Sequence, residues 1–173
     1  MNIQKRRVLF SAGLIAILFC WSSDIRASDK AQEHRFGGLL PKEIIGADEL
    51  RQKQLKKEPF LLLDARNQNS FKEAHIQGAS LPLTREYYRQ EELFRQGIVK
   101  ALPASDKALA QNMSRYPKDT QIITYCNVHC QASAVLALNI MKLGFSSVKA
   151  MEDGFQTWET KGYPVEKMMQ KKL

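Results

Sequence analysis

The twelve residues Ala132 to Leu143, ASAVLALNIMKL, limit the fold more than any other stretch of this chain. They are helix formers, apolar around most of the circumference, so the helix they make has to be covered on nearly all sides. Lys142 in the last turn and Gly144 just beyond supply a C-terminal stop. Immediately before this helix, Gln121 to Tyr125 is a β-rich run and Cys126 to Gln131 a short loop. A second continuous apolar run, Phe60 to Leu63, ends at Asp64 after Pro59 has stopped the preceding segment. Continuous rather than alternating apolar strands are buried on both faces, which is the condition of strands in a parallel sheet.

The remaining pattern agrees. Ile44 and Ile45 read as a short strand, and Asp48, Glu49, Leu50 and Leu55 as a helix after it. Ser70 to Ala74 makes a helical turn that Gly78 breaks, and Ala79 to Leu83 is a short apolar piece. Glu86 to Gln96 is helical up to Gly97, and Ser105 reads as the N-cap of a helix carrying Leu109, Met113 and Tyr116. Ser147 to Met151 is a strand, Phe155 to Lys161 a helix containing Trp158, and Gly162-Tyr163-Pro164 closes the series. Strands alternating with helices, with little room for hairpins, predict a three-layer α/β domain around a mainly parallel sheet.

The N-terminus reads differently. Lys5, Arg6 and Arg7 precede Val8 to Trp21, fourteen uncharged residues, and a polar stretch to Ala27 follows. This order is that of a secretory signal peptide, residues 1–27, cleaved near Ala27; the apolar run falls short of the roughly 20 residues of an ordinary span. Export to a periplasm or to the medium is the expectation, an uncleaved N-terminal anchor the alternative. Lipoprotein processing at Cys20 is disfavoured by the bulky Phe19. Residues 28–38 form a polar leader, 39–166 the folded domain and 167–173 a basic tail. Four cations (Lys5, Arg6, Arg7, Arg26) and one anion (Asp24) leave with the signal, so the formal charge of +8 falls to +5. The remaining lysines lack interleaved aromatics and have acids nearby, which argues against a nucleic-acid partner. A membrane enters only if the signal is retained.

In open α/β sheets ligands gather where strands end. Two strands here end in polar residues: one at Asp64 and Arg66, the other at Cys126. A cysteine between a buried strand and a helix N-terminus faces backbone N–H groups and the positive end of the helix dipole, and both favour the thiolate. The alternative is a small buried hydrophobe, as many free cysteines are.

The stretch IITYCNVHCQASAVLALNIMKLGFSSVKAMEDGFQTWETKGYPV resembles the C-terminal half of rhodanese-like domains, and LLLDARNQNSFKEAHIQGASLPL resembles their upstream motif. In the second, Asp64 and Arg66 stand in the Asp-x-Arg, Phe71 in the aromatic position, and His75, Ile76, Gly78 and Ala79 in the His-Ile-x-Gly-Ala. The resemblance covers roughly Leu40 to Val165. It implies a five-stranded parallel sheet flanked by helices, with Cys126 as nucleophile and Asn127, Val128, His129, Cys130 and Gln131 as the loop that binds substrate. It further implies sulfur transfer through a Cys126 persulfide, from a small sulfane-sulfur donor to a thiol or a cyanide-like acceptor, with no cofactor. Related phosphatases have an Arg six positions after the cysteine, where this chain has Ala132.

The loop departs from the family, which has Gly, Arg and Ser where this chain has His129, Gln131 and Ala132. Loss of a fixed cation costs roughly 1.5–3 kcal/mol of anionic donor or transition-state binding, so thiosulfate is expected to be a poor donor. His129 either replaces part of that charge or is simply exposed. Cys130 either pairs with Cys126, resolving a persulfide or protecting the nucleophile, or points away on the first helical turn. A metal at Cys126, His129 and Cys130 lacks a fourth ligand. Asp64 and Arg66 are expected to pair and fix the strand-end loops, with Arg66 reaching the donor as a second possibility. His75 is expected to pack as a structural histidine, and Gly154 and Trp158 to serve as turn and core. The alternative function is a non-catalytic or redox-only module using the Cys126/Cys130 dithiol or binding a partner.

Overall fold

The computed structural model describes residues 38–168. The expected signal segment 1–27 with Cys20, the leader up to residue 37 and the tail beyond 168 lie outside them. A 3₁₀ turn, Pro41–Glu43, enters β1 (Ile44–Ile45), followed by α1 (Ala47–Leu55), β2 (Leu61–Asp64) and α2 (Gln68–Glu73). Then come β3 (His75–Ile76), β4 (Ala79–Ser80), α3 (Arg85–Arg95), α4 (Ser105–Met113) and β5 (Ile122–Tyr125). The series ends with α5 (Ala132–Lys142), β6 (Val148–Met151), α6 (Gly154–Thr160) and β7 (Val165–Glu166).

The main sheet has five strands in the order β1-β6-β5-β2-β4, all parallel. β5 lies at its centre, with Leu63 opposite Thr124 and Asp64 opposite Tyr125. Because side chains alternate along a strand, the continuous apolar runs divide between two cores. Ile122, Leu63, Val148 and Ala150 point to one face, where they meet Leu109 and Met113 of α4 and Ala134, Ala137 and Ile140 of α5. Ile123, Tyr125, Leu62 and Met151 point to the other, against Leu50 of α1 and Phe155 and Trp158 of α6. The three-layer parallel α/β architecture is therefore as expected, but the apolar helix is covered on one side only: Ser133, Ala134, Leu136, Ala137 and Ile140 are buried, whereas Val135, Asn139 and Lys142 form an exposed stripe.

Two local readings differ. Ser105 is the first residue of α4 and Ala104 occupies the N-cap, without a side-chain bond. A separate antiparallel pair, β3 with β7, joins His75 to Glu166 and Ile76 to Val165. Strands of two residues leave no periodicity to detect. Among the described residues, no helix is long and apolar enough to cross a membrane.

Candidate active site

Tyr125 and Cys126 sit at the carboxyl end of the central strand, and the chain fixes that end from both sides. On one side, Asp64 accepts both a fork from Arg66 (Nε 3.0 Å to Oδ1, Nη2 2.7 Å to Oδ2) and the Tyr125 hydroxyl at 2.7 Å. Arg66 also donates to the Ala74 carbonyl and lies 3.9 Å above the Phe155 ring. Burial opposes the Arg66 charge, but the hydrogen bonds and charge of Asp64 more than offset it, leaving its pKa above the ordinary value. Burial, followed by the charge of Asp64, pushes the Tyr125 phenol well above its usual range, so it stays a neutral donor. Arg66 thus holds the strand ends, as expected, and its guanidinium is turned inward. His75 is buried, stacked on Phe71, bonded through Nδ1 to the Phe71 carbonyl and 3.5 Å from Glu166. It packs and bonds within the β3–β7 corner.

On the other side lies the loop from Cys126 to Gln131. The Cys126 carbonyl accepts from the Phe155 amide at 2.8 Å, which ties the strand end to α6. Gly154, with φ 75°, lets that helix approach so closely that a Cβ there would stand 2.3 Å from the Val128 nitrogen. Gln156, in the first turn of the same helix, accepts from the Val128 amide (2.8 Å) and donates to Asn127 Oδ1 (2.9 Å). Neither contact follows from spacing. Gln156 had no motif to mark it, and Gly154 does more than shape a turn.

Cys126 is buried at 3% exposure and forms a disulfide with the half-buried Cys130, Cα to Cα 6.1 Å, inside the roughly 4.4–6.8 Å such bonds require. Of the two readings open for Cys130, the one pointing away is therefore wrong: the loop curls through His129, at φ 58°, and brings the sulfurs together. That left-handed backbone is one glycine adopts most readily, and here His129 adopts it. The Cys130 amide donates to the Asn127 carbonyl, and the Ala132 amide to Cys130 Sγ. The N–H donors of Val128, Cys130 and Ala132 are thus engaged within the protein, and the cradle offered to a substrate is smaller than six loop residues suggest. Asn127, Val128, His129 and Gln131 are exposed, so the loop surrounds a buried sulfur with a solvent-facing rim. Behind it, Thr124 Oγ1 donates to the Ser133 carbonyl, fixing the start of α5 against β5. Among the described residues, no three His, Cys, Asp or Glu side chains are grouped to hold a metal ion.

A parallel sheet whose central strand delivers a cysteine into a tight loop at a helix N-terminus defines a class of α/β domains built around one sulfur. The family model of the rhodanese-like domain matches residues 46–161, and the chain belongs to that family. No curated protein matches the sequence. Among solved structures, the BH2092 protein of Bacillus halodurans is similar at a TM-score of 0.56 and 18% identity, covering 85% of this chain and 88% of that one. The Alr3790 protein of Anabaena sp. gives 0.55 and 19%, over 73% and 94%. A thiosulfate sulfurtransferase of Pseudomonas aeruginosa gives 0.51 and 23%, over 72% of this chain and 20% of that one. At these identities the likeness establishes the fold.

Proposed function

We propose that the chain is an exported sulfurtransferase or persulfide carrier in which reduced Cys126 takes a sulfane sulfur and passes it to a thiophilic acceptor. Membership of the rhodanese-like family supports sulfur transfer in general. The observation that carries the finer reading is the position of Cys126, at the end of the central strand beneath a loop clamped by Gln156 and Gly154 and next to the N-terminus of α5. A fixed backbone and helix dipole at a nucleophilic sulfur are the conditions for covalent catalysis on an anionic donor. Oxidised protein is inert in this scheme, because the disulfide occupies the nucleophile. Export through residues 1–27 is part of the proposal and accords with a disulfide between loop cysteines.

The experiment treats reduced, desalted protein with thiosulfate and with benzenethiosulfonate, a singly charged donor suited to a loop without arginine. Release of sulfite or sulfinate is expected from the wild type and absent from Cys126→Ser. No leaving group from either donor overturns the reading. The disulfide itself favours a second reading, a redox module whose cysteines cycle between dithiol and disulfide without taking up sulfur. It predicts that second result.

A further inference from the structure

Cys130 lies within bonding reach of Cys126, in a loop held by α6, and a sulfur-transfer cycle that stops at the Cys126 persulfide has no use for it. We propose that Cys130 is an internal resolving thiol, so that the domain reduces sulfane sulfur to sulfide; this rests on the persulfide reading of Cys126. The donor's sulfane sulfur first moves to the Cys126 thiolate, releasing sulfite or sulfinate. The Cys130 thiolate then attacks Cys126 Sγ, the inner sulfur of the persulfide. The bond between Cys126 Sγ and the transferred sulfur breaks, its electron pair leaves with that sulfur as HS⁻, and the Cys126–Cys130 disulfide forms. Two thiols lose two electrons and one sulfane sulfur gains them. The product state is the disulfide seen here.

Four features of the site suit that step. The Cα separation allows the bond, and the left-handed turn at His129 already aims one cysteine at the other. Cys126 is buried whereas Cys130 is half-buried, so a dithiol reductant reaches Cys130 first. Its attack there expels Cys126, the sulfur next to the α5 N-terminus, where a leaving thiolate is best stabilised. The reductant's second thiol then resolves the mixed disulfide and frees Cys130. The cycle returns Cys126 as the thiolate that meets the next donor, and the co-reactant it consumes is a dithiol.

The test uses pre-reduced, desalted wild type, Cys130→Ser and Cys130→Ala, each mixed with thiosulfate or benzenethiosulfonate in the absence of any free thiol. Sulfide is measured by methylene blue, and the Cys126 peptide by mass spectrometry. The wild type is expected to release one sulfide per chain, to end as the disulfide and to hold no extra sulfur. Both Cys130 variants are expected to retain one added sulfur on Cys126 and to release, per sulfite or sulfinate formed, at least tenfold less sulfide than the wild type. A wild type that keeps its persulfide and yields no sulfide overturns the resolving role and leaves the carrier reading standing. Equal sulfide from wild type and variants also overturns it. Absence of sulfite and sulfinate from all three proteins overturns the carrier reading, and the inference with it.

Discussion

His129 carries the loop's left-handed backbone without being glycine, at φ 58°. An L-residue there costs about 1–2 kcal/mol, and glycine returns roughly half of that to the entropy of the unfolded chain. His129→Gly is therefore expected to stabilise the domain by about 0.5–1 kcal/mol, read as a higher urea midpoint at unchanged slope. Gly154 is the opposite case. Its φ is 75°, and an added Cβ meets the backbone of Asn127 and Val128, which have no flexible end to move aside. Gly154→Ala is expected to cost roughly 2–5 kcal/mol and to shift the amide resonances of residues 126–130, whereas unchanged loop resonances would contradict the contact. Asp64 is fully buried between Arg66 and Tyr125. Asp64→Asn leaves the Arg66 charge without its counter-ion and is expected to cost about 3–5 kcal/mol in denaturant unfolding.

At the scale of elements, the parts that could be read from sequence are those with a long, one-sided signal. β2 and β5 were legible as apolar or β-rich runs ending at Asp64 and Cys126, β6 as a short strand, and α5 as a strongly apolar helix. The pairing of Asp64 with Arg66 was legible because both stand at one strand end. What was not legible depends on approach between distant segments. The β3–β7 pair has two residues a side, and Gln156 reaches Val128 only because Gly154 admits α6. Spacing alone also left open which way Cys130 points. A further cross-element tie joins α1 to the end of α6: Asp48 accepts from Lys161 and from Tyr163. The Lys161 hydrogen bond, then that of Tyr163, lowers the Asp48 pKa below the usual carboxylate range. A carboxyl depressed on folding contributes stability that is present above its unfolded pKa and lost as pH falls through the folded one. A carboxyl titration followed by NMR is expected to find Asp48 below the ordinary aspartate value, and to return it upward in Lys161→Ala. No movement in that variant would dismiss the tie.

The whole molecule depends on one sheet packed on both faces, so each strand contributes alternate residues to two cores and neither core survives alone. Such a domain unfolds as a unit. The Cys126–Cys130 bond spans a sequence separation of four and closes a small loop, worth about 2 kcal/mol on the chain-entropy account. Strand β5 is held independently of it, by the Phe155 amide on the Cys126 carbonyl and by the Tyr125 hydroxyl on Asp64. Reduction is therefore expected to leave the fold intact, which the proposed chemistry requires, because the dithiol form has to meet the donor in a folded loop. A dithiol reductant is expected to lower the melting temperature by roughly 5–10 °C, with the far-UV circular dichroism unchanged and a single transition retained. If reduction abolished the secondary structure, or split the transition in two, the disulfide would be a structural staple and its cysteines unavailable for turnover. The same melt on Cys126→Ser separates the causes, since that variant is expected to match the reduced wild type and to show no further response to reductant.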